Sequence, residues 1–365
     1  MKPIYEIMHG DRKVAWIDTH GHCKVYYKSF MPFSLYLEET DNDIDTLVNN
    51  VTNFQYWCAC RLLTLDRQYA KAILNSIGAL QAFTDKERAE IALSYRCLSL
   101  TDIYWVRRKK EKISFAEVNL YENHLENALV DVSLKGKQLT IQNKHLENEF
   151  AKDLSTNGCF PKAWIRKNGH FQLYKGGGRA VVENEVLASN VCQCFDCKQV
   201  IYTLGQYDGD LVSVSDIMPS KEQSIVSREA LAIYAVTNEL DQMNYILQLD
   251  AYSFYMMNIL DYLVGNVDRH WGNWGFLVDN RRNKPLSLHP LMDFNQSFQM
   301  YDTIEGANCQ PMLPLVISQK EAAIDAVKKI GLNQTAEIDP AWFIGKEKEY
   351  DMLMKRLHIL QSLKA

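Results

Sequence analysis

The sequence changes its periodicity near residue 150, and this change restricts the folds open to the chain more than any other feature. Between about 150 and 220, short runs of β-forming residues are separated by Asn168–Gly169 and Asp208–Gly209. Asn-Gly and Asp-Gly pairs supply the positive backbone angles that two-residue hairpin turns require. With Glu183–Asn190 as a helix, we predict a small sheet that carries one helix. Its strands are Ala163–Arg166, Phe171–Tyr174, Val200–Leu204 and Leu211–Val214.

Beyond Ser227 the apolar residues recur at helical spacing. Ser318 and Glu321 form a capping box that begins one helix, and Gly331 is suited to end it. A small β-rich lobe followed by a larger helical lobe is the layout of a bilobal protein kinase, so we predict an α+β fold. The residues that define the buried face of another helix are Met256, Ile259, Leu260, Leu263 and Val264.

The region before residue 150 shows no catalytic residue pattern, and we predict an accessory α/β region. Helical periodicity runs through 51–80, and Thr84 followed by Glu87 marks the start of a second helix that continues to residue 95. Two short strands are predicted at Ile103–Arg107 and Leu139–Asn143.

A chain of 365 residues can form two or three domains. We expect an accessory region at 1–149, a kinase N-lobe at 150–225 and a helical C-lobe at 226–365. A net charge of −5, with 23% charged residues, argues against a broad nucleic-acid or membrane surface. The start MKPIYEIMHGDRK has no apolar signal segment, and no stretch is apolar enough to span a bilayer, so we predict a cytoplasmic protein.

The cysteines favour reduced thiols over a disulfide framework, since nine is an odd number and they are spread along the chain. Cys192, Cys194 and Cys197 could bind zinc if a fourth ligand came from elsewhere. Because no second cysteine pair has matching spacing, we favour small buried thiols near a strand.

The segment GNVDRHWGNWGFLVDN, residues 265–280, is too polar for a core element and too aromatic for an ordinary loop. Asp268 and Asn273 stand five residues apart, which is the spacing of the base and the magnesium-binding amide in a kinase catalytic loop. Further along, PLMDFNQSF supplies Asp293 as a second metal ligand, with Phe294 packing beneath it. Packing explains the aromatic residues but not the clustered polar ones. We therefore predict a phosphoryl-transfer loop.

Two upstream segments carry groups that could contact ATP. Lys175 ends a predicted strand in FQLYKGGG, and Glu183 or Glu185 on the next helix could hold its ammonium near the phosphates. The turn around Gly158 in LSTNGCFPKAW is small and polar enough to cover phosphates with backbone amides. Taken alone, Lys175 could be a solvated strand end and His270 a structural histidine. Their order along the chain favours the kinase interpretation.

The run N-x-D-x-H-x-x-N resembles the catalytic loop of HipA-like serine/threonine kinases, and it is formed here by Asn266, Asp268, His270 and Asn273. PLMDFNQSF, STNGCFPKAW, LYKGGG and ENEVLAS fit the same pattern, so the resemblance covers roughly residues 150–300. These are bacterial kinases, and many are toxins of toxin–antitoxin pairs. The resemblance implies transfer of phosphate from ATP, with Mg²⁺, to Ser or Thr of a protein substrate. For residues 1–149 the similarity is general, to N-terminal regions of such proteins in Gram-positive bacteria.

The same resemblance assigns roles to individual residues. It implies Asp268 as catalytic base and Asn273 and Asp293 as magnesium ligands, and we expect His270 as a second catalytic residue. Lys175 would bind the ATP phosphates with support from Glu185. The remaining implied nucleotide contacts are a phosphate loop at 155–162 that contains Thr156, Asn157 and Gly158, and an adenine hinge near Asp216 and Met218.

One departure concerns regulation, and one implication concerns partners. HipA itself carries a regulatory serine just before the loop glycine, whereas this chain has Asn157, which puts self-inactivation by that route in doubt. A toxin of this family would act with a small DNA-binding antitoxin. This chain shows no helix-turn-helix of its own, so we expect no direct contact with nucleic acid.

Two other functions remain open. The pattern G-x-x-D-R-H-x-x-N is also similar to the catalytic loop of phosphoinositide kinases, which would make the substrate a lipid or another small molecule. We rank this lower because the sequence lacks a basic or amphipathic membrane face. The second alternative is a nucleotide-binding pseudokinase or interaction module. The complete set of Lys175, Asp268, Asn273 and Asp293 argues against it, since a decayed site usually lacks at least one.

Overall fold

The computed structural model describes most of the chain. Some predictions fall outside the described part, namely the strand at Leu139–Asn143, residues 62–80 of the first helix, the turn around Gly158, and the hairpin-turn residues Asn168, Gly169 and Asp208. The described residues are 4–61, 84–123, 133–134, 137–138, 162–167, 170–207, 209–216, 218–299 and 301–363.

The N-terminal region is built on a four-stranded antiparallel sheet with the order β3-β2-β1-β4. The predicted capping box of Thr84 and Glu87 is confirmed at the start of the second helix. The fourth strand is confirmed one residue later than predicted, whereas the first three strands were not predicted. The elements are β1 (Ile4–His9), β2 (Arg12–Asp18), β3 (Cys23–Val25), α1 (Ile44–Ala59), α2 (Asp85–Ser94), β4 (Tyr104–Arg108) and α3 (Phe115–Val118), with a 3-10 turn at Lys28–Phe30.

The middle of the chain forms the small sheet with one helix that the sequence predicts. Both hairpins are antiparallel, and the sheet order is β7-β8-β10-β9. The predicted strand Val200–Leu204 is wrong in its bounds, because the strand begins at Thr203. The backbone N–H of Val200 donates instead to the carbonyl of Leu291 at 2.8 Å. The elements are β5 (Ser133–Leu134), β6 (Lys137–Gln138), β7 (Lys162–Lys167), β8 (His170–Lys175), α4 (Arg179–Cys192), β9 (Thr203–Tyr207) and β10 (Asp210–Asp216).

The C-terminal part is mainly helical and surrounds one long central helix, whose apolar face is fully buried as predicted. The predicted capping box of Ser318 and Glu321 is confirmed, and Gly331 follows that helix with a φ of 81°. A three-stranded sheet with the order β11-β12-β13 packs beside the helices. The elements are β11 (Gln223–Ser227), α5 (Arg228–Thr237), α6 (Gln242–Val264), β12 (Gly275–Asp279), β13 (Lys284–Leu288), α7 (Gln319–Ile330) and α8 (Glu347–Gln361), with 3-10 turns at Gln310–Met312 and Pro340–Phe343.

The N-terminal region docks on the three-stranded sheet. The Tyr104 hydroxyl donates to Asn283 Oδ1 at 3.0 Å, and Asn283 Nδ2 donates to the carbonyl of Ser29 at 3.0 Å. The backbone N–H of Ile225 donates to the carbonyl of Thr101 at 2.8 Å. Because these bonds involve buried groups, the two regions are held at a defined angle. Among the helices described here, none has the length and apolar character needed to cross a membrane.

Candidate active site

A buried ion-pair cluster lies where β8 ends. Lys175 is the last residue of that strand, and it is 5% exposed. Its Nζ atom donates to Glu185 Oε1 at 2.7 Å and to Asp293 Oδ1 at 3.0 Å. The interpretation of Lys175 as a solvated strand end is therefore wrong. Two carboxylates from distant parts of the chain hold the ammonium at one point.

Glu185 is held in this cluster by the sheet and by its own helix. It lies on α4 and is 1% exposed. The register places Ser213 of β10 opposite Lys175, and the Ser213 hydroxyl donates to Glu185 Oε2. The other acidic candidate, Glu183, pairs at the surface with Arg179, at 2.7 Å between Nε and Oε1. Of the two acids on this helix, Glu185 is the one that contacts the lysine.

Tyr202 completes the cluster, although the sequence analysis did not identify it. Its hydroxyl oxygen accepts from Lys175 Nζ at 3.4 Å and from the backbone N–H of Asp293 at 3.1 Å. Burial raises the pKa of Tyr202 to about 12, so the hydroxyl is protonated at neutral pH. The same backbone contact that removes Val200 from the predicted strand brings Tyr202 to this position.

The charges in the cluster keep each other ionised. Burial alone would lower the pKa of Lys175, but the Asp293 and Glu185 carboxylates raise it well above its ordinary value. Burial would raise the pKa of Asp293, but Lys175 and then Lys162 hold it below its ordinary range. Lys175 thus contacts two acidic side chains.

The candidate catalytic loop lies between the end of helix α6 and the start of β12. The helix ends at Gly265, which has a φ of 61°, and a Cβ there would lie 2.4 Å from the Tyr301 ring. At Gly275 a Cβ would lie 2.1 Å from the carbonyl oxygen of Val226. Glycine is therefore required at both ends, once for the left-handed backbone and once for the close approach of a strand.

Arg269 ties this loop to the segment that carries Asp293. It is 1% exposed, and its Nε and Nη2 atoms each donate to the Asp261 carboxylate at 2.9 Å. Its Nη1 atom donates to the carbonyl of Asn273 at 2.9 Å and also to the carbonyl of Met292. Because Met292 precedes Asp293, one side chain sets the position of both candidate metal ligands. Arg269 belongs to the motif, but this positioning role was not predicted, and Asp261 was not identified.

Asp268 and Asn273 lie together in the loop. The Asn273 side-chain Nδ2 donates to the Asp268 carbonyl at 2.8 Å and to the Asp268 carboxylate at 3.3 Å. Burial raises the pKa of Asp268, the charged form of His270 lowers it, and Asp293 raises it, with a net result above the ordinary value. Asn266 joins this loop to the segment that carries Asp293, since its Oδ1 accepts from the Asp268 backbone N–H at 3.3 Å and its Nδ2 donates to the Asp293 carbonyl at 3.4 Å.

The other residues of the loop serve packing and loop geometry. His270 is exposed, and its Nδ1 atom accepts from the backbone N–H of Gly272 at 3.0 Å. Trp274 is buried, and the half-buried Trp271 has the Arg228 guanidinium 4.4 Å from its ring centroid. The prediction that both tryptophans pack is confirmed.

Two glutamines from the following segment hold the backbone that leads to Asp268. Gln319 Nε2 donates to the carbonyl of Asn266 at 2.7 Å, and Gln310 Nε2 donates to the carbonyl of Val267 at 2.9 Å. Neither glutamine belongs to the motif. Both contacts join residues more than forty positions apart, which no local pattern indicates.

The remaining nucleotide-binding candidates are not brought into this cluster. Thr156, Asn157 and Gly158 lie outside the described residues. Asp216 ends β10 and accepts from Gln172 Nε2 at 3.0 Å, three positions along β8 from the lysine. Met218 is 40% exposed, in the connection that leads from β10 to β11. The predicted hinge therefore lies where the chain passes from one sheet to the next.

The cysteine cluster has the character of buried thiols. Burial raises the pKa of Cys192 and Cys194, and it raises that of Cys197 to about 12. Zinc requires thiolates, which these surroundings disfavour. Within the described part of the chain, no three His, Cys, Asp or Glu side chains are grouped in a way that could hold a metal ion.

A magnesium ion suits the oxygen atoms of the cleft. Asp293 has a φ of 61°, which aspartate tolerates better than most residues, and the fully buried Phe294 holds this turn. Its ionised carboxylate and the amide oxygen of Asn273 are hard ligands. Magnesium is commonly bound by one or two such protein groups together with water and phosphate oxygens. The residues present therefore fit the ion.

Comparison with solved structures shows the fold. The chain resembles HipA in the Shewanella oneidensis MR-1 complex of HipA, HipB and operator DNA, with a TM-score of 0.53 and 12% identity, over 99% of this chain and 92% of that chain. It therefore has a HipA-like kinase fold. The Helicobacter pylori proinflammatory kinase CtkA matches at a TM-score of 0.41 and 15% identity, over 55% of this chain and 90% of that one. No protein-family model and no curated protein matches the sequence.

Proposed function

We propose that the protein is an ATP- and magnesium-dependent kinase that phosphorylates Ser or Thr in a protein substrate. The observation that carries this proposal is the contact of Lys175 with Glu185 and Asp293, whose segment Asn266 joins to the loop that carries Asp268. The HipA-like fold supports it. In this proposal, 150–225 is the nucleotide-binding lobe, 226–365 is the catalytic lobe and 1–149 is an accessory region.

Each side chain has a task that its surroundings allow. Lys175 binds the phosphates of ATP while Glu185 keeps the ammonium in place, which frees Asp293 from the lysine. Asn273 and Asp293 provide oxygen ligands for magnesium, which supplies charge neutralisation on the phosphates when bound. Arg269 fixes the distance between these ligands through the two carbonyls that it contacts.

In the transfer step one bond to phosphorus forms, another breaks, and Asp268 acts as the base. The oxygen of the substrate hydroxyl forms a bond to the γ-phosphorus, and the bond from that phosphorus to the bridging oxygen of ADP breaks. Asp268 accepts the hydroxyl proton. Burial raises the pKa of Asp268, and a base whose pKa lies nearer to the working pH accepts a proton more readily. His270 is too exposed to be assigned more than an electrostatic influence on this carboxylate.

The test is phosphoryl transfer from γ-labelled ATP with magnesium, for the wild type and for Asp268→Asn. We expect the variant to lose about 10²- to 10⁴-fold in rate because the base is absent. The isosteric change should leave the thermal unfolding temperature in place. Asp302→Asn, at an exposed position in the same lobe, is the matched control.

Other outcomes select the alternatives. A folded Asp268→Asn protein with full activity would contradict the proposal. Label on phosphoinositide vesicles but never on protein would favour a lipid kinase. ATP binding without transfer to any protein or lipid would favour an interaction module.

We also propose that the kinase is the toxin of a toxin–antitoxin pair, with a small DNA-binding protein as partner. The support is the resemblance over nearly the whole chain to HipA, which was solved with HipB and operator DNA. Expression of the wild type should arrest bacterial growth, Asp268→Asn should not, and a small DNA-binding protein encoded beside it should relieve the arrest. Equal effects of wild type and variant on growth would contradict a toxic kinase activity.

A further inference from the structure

The helix that carries Glu185 is held at a second point, away from the nucleotide cluster. Asn184, the residue before Glu185, is 6% exposed. Its Nδ2 atom donates to the carbonyl of Ser297 at 2.9 Å, and its Oδ1 atom accepts from Lys346 Nζ. One amide side chain on α4 thus contacts two separate segments of the catalytic lobe.

Both of those segments are firmly packed. Ser297 is fully buried, and the next residue, Phe298, donates its backbone N–H to the carbonyl of Val264 at 3.0 Å, at the end of α6. The rings of Phe298 and Phe343 lie 6.0 Å apart in an edge-to-face arrangement. Phe343 is 2% exposed and accepts the backbone N–H of Lys346 at 2.8 Å. The anchor for α4 is therefore rigid.

Lys346 differs from an ordinary surface lysine. It is half-buried, and in the described part of the chain no carboxylate forms an ion pair with it. Fixing a long side chain on a neutral amide costs rotamer entropy and some hydration of the ammonium. We therefore attribute the hydrogen bond from Lys346 to Asn184 to the positioning of α4. Lys348, two residues further on, is exposed and serves as its natural comparison.

We propose that Asn184 and Lys346 are positioning residues that hold α4 so that Glu185 stays against Lys175. The affinity for nucleotide phosphates then depends on the C-terminal segment that carries Lys346. This inference rests on the proposed function, since it assigns the cluster of Lys175 to phosphate binding. Residues 184 and 346 act through Glu185 and touch no substrate.

The first test compares ligands with and without phosphates. Lys346→Met should weaken binding of magnesium–ATP by about tenfold, since small displacements of catalytic groups have effects of this order or larger. Binding of adenosine, which lacks phosphates, should be unchanged. Lys346→Arg keeps a donor for Asn184 and should restore ATP binding, and Lys348→Met should match the wild type. Equal loss for ATP and adenosine would indicate a merely structural role and overturn the inference.

The second test is a double-mutant cycle with Glu185→Gln. If Lys346 acts through Glu185, Lys346→Met should change ATP affinity by less than about twofold in the Glu185→Gln protein, because coupled residues are not additive. The same loss in both backgrounds would overturn the inference. A wild type that binds ATP with this coupling but transfers no phosphate would sink the kinase proposal and leave the positioning role intact. A wild type that does not bind ATP would overturn both.

Discussion

Two clusters of buried charge, one in each half of the molecule, differ in their balance. In the N-terminal region Arg61 forms a two-pronged pair with Asp102, at 2.8 and 2.7 Å. Its other bonds go to the carbonyls of Cys97 and Tyr104. One cation thus meets one anion, and carbonyl groups accept the remaining bonds. In the kinase-like part, Lys175 meets two carboxylates.

This difference separates a buried pair that stabilises the fold from a cluster that is suited to take part in a reaction. When one buried cation pairs with one buried anion, neither charge is left to bind a ligand. Such a pair serves to hold the elements that it joins in position. The pair of Arg269 and Asp261 is of this kind, although it lies beside the catalytic loop. A cleft with more acidic than basic side chains is suited to a bound cation and to a perturbed base. Only the cluster around Lys175 and Asp268 has that excess among the buried ion pairs that we describe.

The largest expected effect is on stability, and it comes from the balanced pair. Arg61→Met leaves the half-buried Asp102 and two carbonyls without their buried cation, so we expect the free energy of unfolding to fall by about 3–5 kcal/mol. Phosphoryl transfer per folded molecule should stay at the wild-type rate. Urea unfolding measures the first quantity, and rates normalised to folded protein measure the second. Arg282→Met is the control, since that side chain is 79% exposed.

A substitution in the unbalanced cluster should instead lower the rate of phosphoryl transfer per folded molecule. Lys175→Met removes the cation that contacts phosphates, and we expect a loss of about 10²- to 10³-fold in kcat/KM for ATP. Stability should fall as well, because Glu185 is 1% exposed and loses its counter-charge, so the loss of rate per folded molecule is what distinguishes Lys175→Met from Arg61→Met. Initial rates and urea unfolding of the same samples decide this. A variant that keeps its activity but unfolds readily would reverse the comparison between the clusters.

What the sequence could predict in this site follows from the range of each signal. Capping boxes, hairpin signals and the spacing of Asp268 and Asn273 are local patterns, and the structure has both capping boxes and pairs the strands on either side of each predicted turn. Tyr202 reaches Asp293 across 91 positions, and Ser213 reaches Glu185 across 28. Such contacts arise from the arrangement of sheets and helices, so no local pattern contains them.

The fold shows the same limit. The first three strands were missed because the region before residue 30 carries mixed polar and apolar residues without a clear alternation over a long run. The strand predicted at Val200–Leu204 starts instead at Thr203, because a backbone contact with Leu291 competes with sheet pairing. In both cases tertiary contacts override the local preference.

The smallest expected effect on activity is that of His270→Asn, which tests how charge near Asp268 sets the pH dependence of the unbalanced cluster. Asp268 must be ionised to accept a proton, so activity should be lost as pH falls through its raised pKa. The positive charge of His270 lowers the pKa of Asp268. His270→Asn removes that charge, so the acid limb of the rate profile should move to higher pH. The plateau rate should change by less than about tenfold, since a direct acid–base role contributes more than that.

A pH–rate profile with saturating ATP measures both quantities in one experiment. His358→Asn is the control, because that histidine is exposed on α8, away from the loop. A plateau lowered by about 10²-fold or more, with the acid limb in place, would give His270 a direct part in proton transfer. The cleft would then hold a second catalytic group, and its excess of carboxylates would no longer suffice to explain its chemistry.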